Sequence, residues 1–128
     1  MPFPEGRRLW TPLRQRRTMA SWIEFIETAS FTKILEQYLD DDEYSRLQNH
    51  LNDHPESGVI VPGSGGVRKL RWRGEGQGKR GGLRLIYYLR LARGEIWMLT
   101  IYGKNVRENI PANLLKAMKE GIEDAQND

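Results

Sequence analysis

The sequence predicts a small α+β domain: an antiparallel-dominated sheet, preceded by an αα-hairpin and followed by one helix. Three observations carry that prediction. Residues 67–73, 83–91 and 95–102 read as strands, the first two alternating side chains with period two. Between residues 30 and 54, two stretches place apolar residues at helical spacing, and a third helical stripe follows Pro111. The length, 128 residues, is that of one domain, and a 38% hydrophobic content is enough for a small core rich in Trp, Tyr and Leu.

The elements follow in order. Residues 1–18 hold five arginines and no usable periodicity, and no apolar run follows them as in a secretory signal. They read as a basic, disordered leader or an upstream-start artefact, with the domain over 19–128 opening at Met19. Residues 21–27 form a short first strand, with Trp22, Glu24 and Ile26 on one face and Ile23 and Phe25 on the other. Ser30 is the expected cap of a helix whose stripe is Phe31, Ile34, Leu35 and Tyr38. Asp40, Asp41, Asp42 and Glu43 start the next helix, because acidic groups accept from the free N–H groups and complement the dipole. Its stripe of Tyr44, Leu47, Leu51 and His54 ends before Pro55 and Gly58. Ala92, Arg93 and Gly94 make a tight turn between the last two strands. Pro111 then sits in the first turn of a helix with the stripe Leu114, Leu115, Met118 and Ile122.

Charge is strongly segregated. The net charge is +3, yet residues 19–58 carry −7 and residues 59–107 carry +9. A basic block inside an otherwise acidic domain suits a polyanion, because phosphate contacts release counterions. The competing readings are a solubilising patch and a dock for an acidic partner. There is no cysteine, hence neither a disulfide framework nor a thiolate site, and no apolar run reaches membrane-spanning length. A cytoplasmic protein is the expectation.

The basic block concentrates in VRKLRWRGEGQGKRGGLRLIYY, residues 67–88. Period two puts Lys69, Arg71 and Arg73 on one face of the first strand, beside Arg68 on the other. On the next strand Arg84, Ile86, Tyr88 and Arg90 share a face, and Leu83, Leu85, Tyr87, Leu89 and Leu91 take the core-seeking one. Antiparallel pairing brings cations and a phenol together on one side of the sheet. The loop GEGQGKRGG lacks the Ser or Thr of a phosphate-binding P-loop and opens no helix. It reads as a hairpin loop that lets backbone approach a ligand, with Lys79 and Arg80 at its exit. His50 and His54 have zinc-ligand spacing but no third ligand, so they read as a capping or partly buried pair. No Ser/His/Asp or paired-carboxylate set assembles from the basic strands. Tyr102, Lys104 and Asn105 close the last strand, either as a polar rim beside Arg84 or only as a turn around Gly103.

VRKLRW, KRGGLRLIYY and LTIYGKN, in this order between a helical hairpin and a final helix, resemble the HigB subgroup of RelE-like toxins. These are the toxin halves of type II toxin–antitoxin pairs, and the resemblance runs from about Trp22 to Ile122. It implies a RelE-like fold and a ribosome-dependent endoribonuclease, an mRNA interferase that cuts translated mRNA in the A site and leaves a 2′,3′-cyclic phosphate. It implies no cofactor or metal. The implied partners are the ribosome with its mRNA and a cognate, HigA-like antitoxin of helix-turn-helix type.

Carried over by position, the implied catalytic residues are Lys69, Arg71, Arg84 and Lys104. Arg68, Arg73, Lys79, Arg80, Tyr88, Tyr102 and Asn105 are the implied RNA-binding residues. Asn105 stands where the best-known RelE type has an arginine. That type's tyrosine near the C-terminal helix has no counterpart around residues 108–111, leaving Tyr88 or Tyr102 as substitutes. In the implied chemistry the RNA's own 2′-hydroxyl attacks the phosphate, so the protein supplies no nucleophile. Arg84 and Arg71 stabilise the phosphorane, and Lys69 is the candidate base because neighbouring cations disfavour an ammonium. The expected architecture has the hairpin over one sheet face and a basic, wet opposite face. The rival reading is a non-catalytic module on the same fold that binds RNA or an acidic protein, with a gyrase-directed toxin a distant third.

Overall fold

A six-stranded mixed sheet separates two helices on one face from a third helix on the other. The computed structural model describes residues 5–12, 22–73, 82–103 and 109–126, and for 5–12, 22, 125 and 126 the backbone alone. In chain order the elements are β1 (Glu5–Pro12), β2 (Trp22–Thr28), α1 (Ala29–Tyr38), α2 (Asp41–Asp53), β3 (Val59–Ile60), β4 (Arg68–Trp72), β5 (Leu83–Arg90), β6 (Glu95–Gly103) and α3 (Ala112–Gln126). The sheet order is β1-β2-β6-β5-β4-β3. Only β2 and β6 run parallel, so the sheet is mixed while antiparallel pairing dominates it. No helix among the described residues is long and apolar enough to cross a membrane.

The leader expectation needs correction at Glu5–Pro12, which is no disordered tail but the edge strand β1, paired antiparallel with β2. The register slips between Glu5 and Arg8, and such an irregularity erases the period-two signal by which a strand is recognised. Pro12 ends the strand, where its missing N–H costs least. The rest of residues 1–18 lies outside the described residues.

Helix starts follow the local chemistry. Thr28, not Ser30, caps α1: its hydroxyl accepts from the Phe31 N–H at 3.1 Å and donates to the Leu99 carbonyl at 3.0 Å. Asp40 and Glu43 form a reciprocal capping box at α2, the Asp40 carboxylate accepting from the Glu43 N–H at 2.8 Å. Residues 91–93 form one 3₁₀ turn, and Gly94 closes it at φ 67°.

Under the hairpin, Phe31, Leu35, Tyr44, Leu47 and Leu51 pack on Phe25, Leu83, Leu85, Tyr87, Ile96, Met98 and Ile101. A buried Glu27 is held there by the hydroxyls of Thr32 and Tyr44, each at 2.7 Å. The opposite face is not simply basic and wet. Helix α3 lays Leu115 and Ile122 over Ile26, Ile86, Trp97, Leu99 and Tyr102, a second dry cluster. Leu114, expected in that stripe, is half exposed instead, and His54 and Leu91, expected on core-facing stripes, are also exposed.

A bulge in β6 decides what this second face contains. Ile86 pairs with Thr100 but Tyr87 with Met98, which leaves Leu99 as the extra residue. Strict alternation from Ile96 and Met98 would send Tyr102 to the hairpin side. The bulge shifts the phase, so Ile101 joins the hairpin core and Tyr102 falls on the α3 side with Arg84.

Candidate functional site

The site is a row across three strands. Arg71 on β4 lies directly opposite Arg84 on β5, and Arg84 lies opposite Tyr102 on β6. Directly paired residues share a face, so all three project from the α3 side, where Tyr102 belongs to the helix's dry cluster and the two arginines continue the row toward the β4 edge. Lys69 follows two positions along β4, opposite Ile86. Arg71 is exposed, Lys69 half-buried, and Arg84 only 7% exposed beside Tyr102 at 6%. Thus the cations grade from the solvent-facing edge into the sheet.

Two arginines in direct cross-strand register are unfavourable in a sheet, because like charges opposite one another destabilise the pairing. An anion lodged between them reverses the sign of that interaction. Guanidinium forks suit a phosphate, presenting several fixed N–H donors to its oxygens. Lys69 is positioned from the far end of the chain: its Nζ donates to Asn109 Oδ1 at 2.8 Å, just ahead of α3. Asn109 is therefore a site residue that sequence reading did not single out. The contact spans 40 residues, and no local pattern announces it.

Entry into β5 depends on glycine. Gly82 has φ 70°, and a Cβ there would lie 3.1 Å from the Trp72 carbonyl oxygen, so the strand can approach β4 only without a side chain. Leu83 then pairs with Trp72, and Arg84 arrives opposite Arg71.

Two residues expected to touch RNA are engaged elsewhere. Arg68 points to the hairpin face, where its Nη1 donates to the carbonyls of Gly58 at 2.7 Å and Glu56 at 3.1 Å. It latches the segment after α2, because its side chain lies on the face opposite Lys69. Tyr88 is on the α3 face but is pinned to the helix, its hydroxyl donating to Glu123 Oε2 at 2.6 Å. Lys119 pairs with Glu123 at 3.1 Å and lies 6.0 Å from the Tyr88 ring centroid. Burial first, then the hydrogen bond and charge of Glu123, push the Tyr88 phenol up to about 12. Tyr102 instead lies directly opposite Arg84. Arg73 lies exposed one residue past β4, on the solvent side of the row. Lys79, Arg80, Lys104 and Asn105 lie outside the described residues.

His50 is half-buried and His54 exposed. His54 caps the α2 C-terminus through its backbone N–H, which donates to the His50 carbonyl. Burial, followed by the proximity of His54, lowers the His50 pKa. Among the described residues, no group of three or more His, Cys, Asp or Glu is placed to hold a metal ion.

No protein-family model matches the chain.

Proposed function

We propose that this chain is an RNA-cleaving toxin of the RelE-like type, HigB subgroup, acting on translated mRNA in the ribosomal A site. The single observation that best supports this reading is the Arg71–Arg84–Tyr102 row with Lys69 beside it. In the proposed reaction the 2′-oxygen of one nucleotide bonds to the adjacent phosphorus, and the P–O5′ bond breaks. The products carry a 2′,3′-cyclic phosphate and a 5′-hydroxyl. Charge accumulates on the two non-bridging oxygens of the phosphorane, between Arg71 and Arg84. Preorganised donors aimed at such charge contribute about 3–4 kcal/mol each. Lys69, oriented by Asn109, takes the 2′-hydroxyl proton, and the departing 5′-oxygen takes a proton from solvent. Tyr102 supports Arg84 from the strand beyond, and Lys104 is assigned by the resemblance alone.

The ribosome supplies the substrate, which makes the cytoplasm the compartment of action. An antitoxin is the proposed inhibitor, laying an acidic segment over the exposed cations. Induced expression followed by mapping of mRNA 5′ ends tests the reading. Cuts in codon register within translated frames support it. Ribosome or RNA binding with intact mRNA would instead select the non-catalytic module, and a gyrase-dependent DNA-damage response with intact mRNA the third reading.

A further inference from the structure

Three rings stand in a ladder on the hairpin face, at the sheet edge where β3 stops. The Trp72 indole lies 5.4 Å from the His50 imidazole, centroid to centroid, and His50 lies 5.4 Å from His54. The ladder ends at His54, whose exposed side chain lines a surface cavity of about 480 Å³ with Pro55, Glu56 and Ser57.

This cavity has a fixed frame. The Tyr87 hydroxyl donates to the Pro55 carbonyl and accepts from the Gly58 N–H, both at 2.8 Å. Arg68 holds the Glu56 and Gly58 carbonyls from below, and Ser57 Oγ lies 3.0 Å from His50 Nε2. The backbone of the lining segment is thus pinned from the protein interior. The Glu56 side chain stays exposed on the rim.

The ladder's first ring, Trp72, follows Arg71 directly in sequence. β3 pairs only with Arg68 and Lys69, so among the described residues no strand covers the outer edge of β4 over 70–72. There Arg71 projects to one face and Trp72, its neighbour in sequence, to the other. An RNA strand with a phosphate on Arg71 would have to step around that edge to bring a base to the ring ladder.

We propose that this cavity is a base pocket for a guanine of the bound RNA strand, stacked on His54 with its Watson–Crick edge toward Glu56. Unpaired bases are characteristically held by stacking on aromatic rings, histidine included, with hydrogen bonds to their exposed edges. Glu56 makes the choice of base. Its two carboxylate oxygens only accept, and guanine alone presents two adjacent donors, N1–H and the exocyclic amine, on that edge. Adenine and cytosine pair one donor with one acceptor there, and uracil flanks its donor with two acceptors. The source of the base rests on the RNA-cleaving reading; the pocket itself rests on the rings and Glu56.

Titration of the full chain with GMP, IMP, AMP, CMP and UMP, followed by NMR at the His54 ring and the Trp72 indole, tests the pocket. GMP should shift both signals and bind about tenfold more tightly than IMP, which lacks the amine, or AMP. Glu56→Gln should erase that preference while the Trp72 and His50 signals of the free protein stay in place. A guanine-containing tetranucleotide should bind more tightly than GMP; equal affinity would overturn the strand as the source. No His54 shift with any nucleotide, or equal shifts with all five, would overturn the pocket. If mRNA is cut but His54 never responds to guanine, the pocket fails and the catalytic reading stands. Guanine shifts without any cleavage would leave the pocket standing and remove the nuclease.

Discussion

The two faces of the sheet are made on different terms. The hairpin face is dominated by apolar packing from Ile23 to Leu89, and a buried polar group there, Glu27, sits between two hydroxyls. The α3 face is apolar only where Leu115 and Ile122 cover Trp97 and Ile86, and beyond that patch it carries Arg71 opposite Arg84. One face is mostly a packed core, whereas the other brings two guanidiniums into cross-strand register at the end of its apolar patch.

The comparison breaks most sharply at Arg84. Arg84→Gln, which keeps side-chain length and polarity, should lower cleavage on translating ribosomes about 100- to 1,000-fold. Arg84→Lys should restore little of it, since lysine lacks the guanidinium fork. Single-turnover assays with circular dichroism as a fold control measure both, and near-normal cleavage in Arg84→Gln would remove this residue from the chemistry.

On the hairpin face the largest effect belongs to Gly58. A Cβ there would lie 2.8 Å from the Tyr87 ring and hydroxyl. Gly58→Ala should therefore cost about 1–3 kcal/mol in urea unfolding, by crowding and by loss of the Tyr87 hydrogen bond. Unchanged stability would show that the segment after α2 yields easily.

Tyr88→Phe separates scaffold from site on the α3 face itself. Loss of the Glu123 hydrogen bond should cost about 1 kcal/mol and leave the cleavage rate within a factor of a few. The intact chain carries a pH signature of the same contact. With the phenol held at about 12 in the fold and near 10 when unfolded, stability falls as pH rises from 10 toward 12. In Tyr88→Phe that alkaline loss should shrink.

The smallest effect has the opposite sign. Arg71→Thr removes the like-charge pair and should raise stability by about 0.2–1 kcal/mol while impairing cleavage. Phosphate in the buffer should raise the Tm of the unaltered chain more than that of Arg71→Thr. Equal shifts would mean that the two guanidiniums do not share an anion.

Most of the framework was legible in the sequence, for local reasons. The Asp40–Glu43 box, the hydrophobic stripes of α1 and α2 and the alternation of β5 are short-range patterns, and each produced its element. The cap of α1 is ambiguous in the sequence because Thr28 and Ser30 both offer a hydroxyl within one turn of Phe31, and the Leu99 carbonyl that anchors Thr28 is 71 residues away. β1 was hidden by its register slip, and β3 is too short, at two residues, to show any period. For the site, alternation put Lys69, Arg71 and Arg84 on one face, as observed. It did not reveal that Arg68 is spent on backbone carbonyls or that Asn109 holds Lys69, since both depend on tertiary contacts. Nor did it find the Leu99 bulge that turns Tyr102 toward Arg84.

The chemistry left at the cut ends tests the central claim most directly. Ribosomes stalled on a defined mRNA are incubated with the purified chain, and both new termini are characterised. The account predicts a 2′,3′-cyclic phosphate upstream and a 5′-hydroxyl downstream of an A-site cut, with both absent for Arg84→Gln. A 3′-hydroxyl with a 5′-phosphate, or uncut mRNA beneath bound protein, would contradict it.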